Sequence, residues 1–171
     1  MTSRNSTKQW FRQLQAIGLL GIALLVTGCA GYGPNDQFIG KGRTEVIALL
    51  GAPTGERPIA AGTLLEYARG PYGKHTYFIT LNPSGSVVKW EQVLTEENFA
   101  KIKPGMSKQQ VLSIIGTSFE VMGLARERGE VWSYRYATPF CIWYQIEFTK
   151  EGIIRSAGEG MPPECNIDSA P

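Results

Sequence analysis

Residues capable of catalysis are sparse in this sequence of 171 residues. Its single histidine, His75, lies between Pro71 and Thr76 in a segment that predicts a solvated hairpin tip. Glu96 and Glu97 are adjacent carboxylates in a polar connector, where such pairs usually form a solvated surface. The sequence has no Gly-x-Ser-x-Gly motif, no metal-spaced cluster of histidine and glutamate, and no phosphate-binding glycine loop. We therefore expect no enzyme activity, no metal ion, no cofactor and no small-molecule substrate.

One cysteine is placed for covalent modification. Cys29 follows Thr27 and Gly28 at the end of an apolar run, Ala16–Val26, and the residues before that run include three basic and no acidic side chains. This order is typical of a secretory signal peptide, and the run is shorter than the roughly 20 residues that span a bilayer.

The small residues before the cysteine resemble the lipobox of bacterial lipoproteins. That resemblance implies lipidation of the Cys29 sulfur and cleavage after Gly28. The alternative is an ordinary secretory signal with an incidental cysteine. Ala30 in the next position favours, by resemblance to sorted lipoproteins, the outer membrane with the chain facing the periplasm. Several acyl chains hold a protein stably on a membrane where one does not, and the turn-forming residues 29–38 are interpreted as a lipidated tether.

The charge of the chain gives no sign of a nucleic-acid partner. The sequence has 17 basic and 15 acidic residues, and three of the basic ones belong to the leader, which leaves 14 against 15. The basic isoelectric point therefore comes from the signal segment. Outside the leader no run of like charges occurs, so we expect no nucleic-acid binding.

The remaining cysteines, Cys141 and Cys165, form an even pair in an exported chain. In an oxidising compartment such a pair most simply forms a disulfide. By restricting the unfolded chain, this disulfide would raise the free energy of unfolding by about 3 kcal/mol in a model-dependent estimate. Metal ligation and a redox pair are the alternatives, and a zinc site requires further cysteine or histidine ligands.

The sequence contains an internal duplication. Segments of the first half recur in the second half at an offset of 65 for the first match and 67 for the others: Gly40–Gly51 on Gly105–Gly116, Leu65–Tyr67 on Trp132–Tyr134, Tyr77–Leu81 on Tyr144–Phe148, and Gly85–Val87 on Gly152–Ile154. Such regular offsets indicate two repeats rather than one chance match. The predicted limits are 1–28 for the signal peptide, 29–38 for the tether, 39–94 and 104–160 for the repeats, 95–103 for a connector and 161–171 for the tail.

Each repeat is predicted to be α+β, a short helix followed by an antiparallel β-meander, with the helices on one face of the sheet. Ser107 and Gln110 have the spacing of a helix capping box, and Gly116 is a typical helix stop. Alternation in the strands predicts an inner face that includes Tyr77 and Tyr144. Trp90 and Trp132 are predicted core residues.

The opposite sheet face is predicted to be a binding surface. It would carry the following residues: Phe78, Thr80, Arg135, Trp143, Gln145 and Glu147. Large aromatics, arginine and amides are enriched in protein interfaces, so Phe78, Arg135, Trp143 and Gln145 are candidate partner-binding residues. The alternative is that Phe78 and Trp143 pack against each other where the repeats meet.

The second repeat contains the string Ile102-Lys-Pro-Gly-Met-Ser-Lys-Gln-Gln-Val-Leu-Ser-Ile-Ile-Gly116, followed by an aromatic strand. Together with the lipobox, this string resembles the small outer-membrane lipoproteins of the SmpA/OmlA/BamE type. Their fold is shared with the tandem-repeat β-lactamase inhibitor proteins. Over residues 40–160 the resemblance implies a helix-packed antiparallel sheet that binds other envelope proteins.

The sequence therefore predicts an outer-membrane lipoprotein with a non-catalytic binding role in envelope or β-barrel protein assembly. Its expected partners are the membrane, through Cys29, and an envelope protein. The β-barrel assembly machinery is one candidate for that protein. Two alternatives remain open. An inhibitor of a periplasmic hydrolase would insert a loop residue such as Tyr72 into a cleft, and a structural lipoprotein would act through its lipid alone.

Overall fold

The computed structural model describes residues 32–70, 72–126, 128–162 and 165, and these form an α+β protein. A 3-10 helix spans Asp36–Phe38, and the α-helices are α1 (Arg43–Leu50), α2 (Glu96–Phe99) and α3 (Lys108–Ile115). The strands are β1 (Gly55–Ile59), β2 (Gly62–Ala68), β3 (Thr76–Leu81), β4 (Val87–Gln92), β5 (Glu120–Leu124), β6 (Gly129–Tyr134), β7 (Trp143–Phe148) and β8 (Ile154–Gly160). They form two antiparallel four-stranded sheets, sheet 1 in the order β1-β2-β3-β4 and sheet 2 in the order β5-β6-β7-β8. The predicted α+β class is confirmed.

Local sequence fixes both ends of the longer helices. The Ser107 hydroxyl accepts a hydrogen bond from the Gln110 amide at 3.3 Å, and the Gln110 side chain accepts one from the Ser107 amide at 2.8 Å. At the start of α1 the Glu45 carboxylate accepts from the Gly42 amide at 3.0 Å. Gly51 and Gly116 follow the helices at φ of 83° and 76°. Helices of eight residues are marginal alone, so their stability must come from packing.

Each helix packs on the inner face of the sheet that follows it in the chain. Val46 and Leu50 of α1 lie in a buried cluster with residues of sheet 1: Leu65, Tyr67, Ile79, Leu81 and Val87. Val111 and Ile115 of α3 lie in a second cluster with residues of sheet 2 and its turns: Trp132, Tyr134, Tyr144, Ile146, Phe148 and Ile154. Trp132 is a core residue as predicted, and Trp90 is partly buried against the first cluster.

The outer face of sheet 1 is also covered, by the C-terminal end of α3. The Arg57 guanidinium donates to the Leu112 carbonyl at 3.0 Å, and the Thr117 amide donates to the Glu66 carboxylate at 2.6 Å. Leu64, Phe78 and Val93 form a small buried cluster on this face. Helix α3 therefore contacts both sheets.

The segment predicted to be a tether, residues 29–38, packs onto sheet 1 from Tyr32 onward, which corrects the expectation. The Tyr32 hydroxyl lies 2.8 Å from His75 Nδ1, and its carbonyl accepts from Arg69 Nε at 2.7 Å. Phe38 is buried in the core of sheet 1. Turn-forming composition gave no sign of these contacts, because it says nothing of partners about forty residues away in the chain.

Within residues 32–70, 72–126 and 128–162, no helix has the length and apolar character needed to cross a bilayer.

Candidate functional site: two uncovered surfaces

The predicted aromatic binding face is wrong for its two largest side chains. Phe78 is only 3 % exposed and Trp143 only 8 %. The Arg57 guanidinium lies 4.9 Å from the centre of the Phe78 ring. The same guanidinium donates to the Leu112 carbonyl of α3. Trp143 is covered by the edge of the Phe119 ring at 4.9 Å and by Arg135 at 6.0 Å. The alternative prediction, packing of Phe78 against Trp143, is not what buries them, since each ring is covered by these other residues.

A buried ion pair within sheet 1, which sequence reasoning missed, makes hydrogen bonds to the second half of the chain. Glu66 is 1 % exposed, and its carboxylate accepts from Arg57 at 2.9 Å as well as from the Thr117 amide. A charge in this environment requires partners, because an isolated buried carboxylate is very costly. The signal was present in the sequence, where Glu66 interrupts the apolar run Leu64–Tyr67. The pair has a structural role at the junction.

The outer face of sheet 2 is the first uncovered surface among the described residues. Met122 of β5 is 53 % exposed, and Gln145 and Glu147 are partly exposed. A groove of about 350 Å³ runs here, lined by Val131, Gln145, Glu147, Ser156, Ala157, Gly158 and Glu159. We call this surface the sheet-2 face.

The side chains of the sheet-2 face are held by neighbours. Gln145 donates to the Ser133 hydroxyl at 3.3 Å, and the Glu147 carboxylate accepts from Arg155 at 2.6 Å and from Ser156 at 2.9 Å. Arg135 lies at one end of the same strand pair, over Trp143. A pre-ordered polar rim beside an exposed methionine suits protein binding better than catalysis.

The second uncovered surface is formed by the loops that join β2 to β3 and β6 to β7. Tyr72 is 93 % exposed and Phe140 is 70 % exposed. Lys74 and Phe140 line one cavity of about 50 Å³ together with Arg135 and Trp143, so the two loops lie at the same end of the molecule. We call this surface the loop end. The sequence prediction named Tyr72 as a loop residue that could enter a cleft and did not name Phe140, although the two lie in corresponding loops of the predicted repeats.

His75 lies in the loop between β2 and β3, as the sequence predicted, and is partly exposed. Its ring stacks on Tyr77 at 5.8 Å between ring centres and contacts the Tyr32 hydroxyl. Burial lowers the pKa of His75 below 6.5, and the positive charge of Lys74 lowers this pKa further. Neutral imidazole is the favoured form, and its visible role is to hold Tyr32.

The other residues with chemical potential have structural surroundings. Glu96 and Glu97 lie exposed in the first turn of α2, where Glu97 pairs with Lys101 at 3.0 Å, as expected for a solvated surface. Cys141 and Cys165 form a disulfide with a Cα–Cα distance of 5.9 Å. In the described part of the chain, no three histidine, cysteine or acidic residues are grouped to hold a metal ion. The predicted lipidation site, Cys29, lies outside the described residues.

Fold and surfaces together define an α+β protein with two helix-backed antiparallel sheets, and its uncovered faces suit contact with macromolecules. The family described as "BamE: Outer membrane protein assembly factor BamE domain" matches residues 91–138. This segment contains α2, α3, β5 and β6, including the string from which the resemblance was predicted. The match confirms the resemblance to the SmpA/OmlA/BamE-type family.

Solved structures show weaker similarity. A candidate beta-lactamase inhibitor protein of Streptococcus mutans is 15 % identical, with a TM-score of 0.31 over 74 % of this chain and 86 % of that one. A DUF4309 family protein of Bacillus subtilis is 10 % identical, with a TM-score of 0.28 over 71 % of this chain and 79 % of that one. No curated protein matches the sequence significantly.

Proposed function

We propose that this chain is a lipoprotein anchored in the outer membrane through Cys29, facing the periplasm, with a non-catalytic protein-binding role in outer-membrane β-barrel assembly. The observation that carries the proposal is the match of residues 91–138 to a family named for outer membrane protein assembly. The lipobox-like segment that ends at Cys29 supports the anchor. The partner would be an envelope protein, in the first place a component of the assembly machinery.

We also propose that residues 39–94 and 104–160 are two copies of one helix-then-meander unit. Equivalent contacts support this: the Tyr67 hydroxyl donates to the Gly51 carbonyl at 3.2 Å, and the Tyr134 hydroxyl donates to the Gly116 carbonyl at 3.0 Å. The ladder irregularity between Thr80 and Leu81 recurs between Glu147 and Phe148. Isolated bridges join Gly42 to Ser86 and Ser107 to Ile153.

The proposed repeats suggest which surface binds the partner. In the alignment at offset 67, Phe78 corresponds to Gln145 and Leu64 corresponds to Val131. Phe78 and Leu64 lie on the sheet-1 face where Arg57 bonds to α3, whereas Gln145 and Val131 line the open groove of the sheet-2 face. The sheet-2 face is thus the free equivalent of a surface that already packs against protein within this chain. We propose it as the protein-binding face, with Arg135 at its edge.

Site-specific photocross-linking in cells tests this proposal. A photoreactive residue would replace Met122, and a matched control would replace Leu49 on α1, which is 43 % exposed against 53 % for Met122. We expect position 122, and not position 49, to trap subunits of β-barrel assembly or nascent outer-membrane proteins. Equal recovery at both positions, or none of these proteins at position 122, would contradict the proposal.

The predicted alternative, an inhibitor of a periplasmic hydrolase, has one observation in its favour. Tyr72 projects from its loop with 93 % of its surface exposed, as a residue that enters a cleft must. A cross-linker at position 72 that traps a soluble hydrolase, while position 122 traps nothing, would favour this alternative. A structural lipoprotein that acts through its lipid alone would give no protein adduct at either position.

A further inference from the structure

The most exposed apolar side chains of the described chain lie at the loop end. The three most exposed large apolar residues of the described chain are Tyr72, Phe140 and Met161, at 93 %, 70 % and 68 %. Tyr72 follows β2, Phe140 follows β6, and Met161 follows β8 directly at Gly160, which pairs with Trp143 at the start of β7. All three therefore lie at one end of the sheets. Clustered exposed apolar side chains mark interaction surfaces more often than scattered ones do.

The charged side chains at the loop end are mainly basic. Arg69 and Lys74 flank the Tyr72 tip, and Arg135 lines the same cavity as Lys74. Among the described residues, the Glu159 carboxylate accepts from the Tyr136 hydroxyl at 3.0 Å, so this acid already has a partner. A tyrosine, a phenylalanine and a methionine beside lysine and arginine match the composition of protein surfaces that lie at a lipid–water interface.

The chain leading to the predicted anchor ends at this surface. Tyr32 is held by Arg69 and His75, and its hydroxyl accepts from the Lys74 amide at 3.1 Å. Only Ala30 and Gly31 separate Tyr32 from Cys29 in the sequence. Three Cα–Cα steps span at most about 11 Å, so an acylated Cys29 keeps Tyr32 within that distance of the anchor. The headgroup layer on each side of a bilayer is itself roughly 5–8 Å thick.

We infer that the loop end lies against a phospholipid surface, with Tyr72 and Phe140 at the level of the headgroups and Lys74 near the phosphates. The inference rests on the proposed lipidation of Cys29 and adds an orientation to it. A protein partner at the loop end is disfavoured because the short connection from Cys29 to Tyr32 leaves little room between this surface and the membrane. The sheet-2 face stays available for proteins.

Photocross-linking to lipid tests this orientation on the full lipidated chain. Three variants would carry a photoreactive residue at position 72, 140 or 88 and be reconstituted in vesicles of phosphatidylethanolamine and phosphatidylcholine. Val88 is a matched control, since it is 50 % exposed and lies beside the β3–β4 turn, at the opposite end of sheet 1. We expect about tenfold more lipid adduct, measured by mass spectrometry, at positions 72 and 140 than at position 88, because lipid is confined to one side of the molecule.

Vesicle flotation of the unirradiated chain, with Cys29→Ser as its control, tests the lipid anchor separately from the orientation of the loop end. If the chain floats but lipid adducts are equal at all three positions, the orientation is wrong while the anchor stands. If the chain does not float and its N-terminal peptide carries no acyl mass, the anchor is wrong and the orientation is overturned with it. Protein adducts in place of lipid adducts at positions 72 and 140 in cells would assign the loop end to a protein partner.

Discussion

Glu66 is the residue on which the contact between the two halves depends. Its side chain is 2 % exposed, its ion-pair partner Arg57 also donates to the α3 carbonyl of Leu112, and the amide of Thr117 supplies a further hydrogen bond. A buried pair of this kind adds little net stability compared with an apolar replacement of both partners. Removal of one partner is costly, because the other charge is then left without compensation.

We expect Arg57→Met to lower the free energy of unfolding by about 3 kcal/mol, since the Glu66 carboxylate then remains buried without its cation. Urea denaturation measures the change. Arg43→Met is the matched control, because it removes an exposed pair with Glu56 and should have a much smaller effect. The double variant Arg57→Met with Glu66→Leu should recover most of the loss. A double variant as unstable as the single one would contradict this account.

The lowered pKa of His75, which contacts Tyr32 of the N-terminal segment, predicts that the stability of the protein depends on pH. In the folded chain the pKa of His75 is lowered below its ordinary value of 6.5. At pH values between the folded-state pKa and 6.5, the unfolded chain therefore binds more protons than the folded chain. Stability is therefore complete above pH 6.5 and falls as the pH is lowered through that window. Urea denaturation across this range measures the slope.

His75→Phe provides the control for this slope, since a phenyl ring can still stack on Tyr77 and does not titrate. We expect the variant to be insensitive to pH in the same window. The carboxylates with lowered pKa, such as Glu45 and Glu130, change the pH dependence of stability only below their ordinary pKa of 4.5. They therefore do not affect the slope measured near pH 6.5. An identical slope in wild type and variant would assign it to another group.

At the scale of elements, the pairing of β6 with β7 depends on the absence of a side chain at Gly129. A Cβ atom there would lie 2.1 Å from the Phe148 carbonyl oxygen of β7, far inside contact distance. A Cβ atom at Gly62 would likewise lie 2.1 Å from the Leu81 carbonyl oxygen of β3. In both sheets a glycine at the start of the second strand lets the neighbouring strand come close.

We expect Gly129→Ala to lower the free energy of unfolding by about 1–3 kcal/mol, because β6 and β7 must move apart. Thermal unfolding followed by circular dichroism measures it. Gly123→Ala in the adjacent strand is the control, since a Cβ there meets nothing within 4 Å and should leave stability unchanged or slightly raised. Equal destabilisation by the two substitutions would mean that backbone entropy, rather than the carbonyl contact, decides the effect.

The disulfide ties the chain after β8 to the loop before β7. Cys141 and Cys165 are 24 residues apart in sequence, and a loop of this size gives about 3 kcal/mol in the chain-entropy estimate. We expect Cys141→Ala with Cys165→Ala to lose stability of this order in unfolding experiments under oxidising conditions. Wild type under reducing conditions should match the variant, and a difference between them would show an effect of the substitutions themselves.

Short-range signals made several elements predictable from the sequence. Ser107, Gln110 and Gly116 predict the limits of α3 because capping is decided within four residues. The alternation in β7 placed Tyr144, Ile146 and Phe148 on one face, and all three are buried in one cluster.

Coverage of the outer faces could not be predicted in the same way. Phe78 is buried beside Leu64 and Val93 and under Arg57, which is held by the Leu112 carbonyl of α3, and Trp143 is buried by Phe119 and Arg135. Alternation assigns a residue to a face and says nothing of what packs on that face. The candidate binding surface therefore moved from the predicted aromatics to Met122 and the groove beside Gln145.

At the scale of the whole molecule, α3 makes the two halves one folding unit. It packs on sheet 2 through Val111 and Ile115 and bonds to sheet 1 through the Leu112 carbonyl. Without α3 and the Thr117 amide that follows it, Glu66 would keep only Arg57 as a partner, and Arg57 would lose its hydrogen bond to Leu112. The first half should therefore not persist when the second half unfolds.

We expect a single cooperative urea transition, coincident for circular dichroism and for tryptophan fluorescence. Variants that retain either Trp90 of β4 or Trp132 of β6 as the reporter follow the two halves separately. Their midpoints should agree in the wild-type background. Two distinct midpoints would show that the halves are independent, and Arg57→Met is the variant in which such a separation should first be visible.

If the chain is exported and lipidated as proposed, the packing of Tyr32 implies an order of events. Arg69 and His75, which hold it, lie 37 and 43 residues later in the chain. Residues are synthesised and exported from the N-terminus, so Cys29 emerges while Tyr32 still lacks its partners. Under the proposed lipidation, the acylating enzymes meet an extended chain, and the folded domain closes onto its own anchor only afterwards. A domain that folded first would bring its bulk to within three residues of the cysteine, so under the proposed lipidation we expect acylation to precede folding.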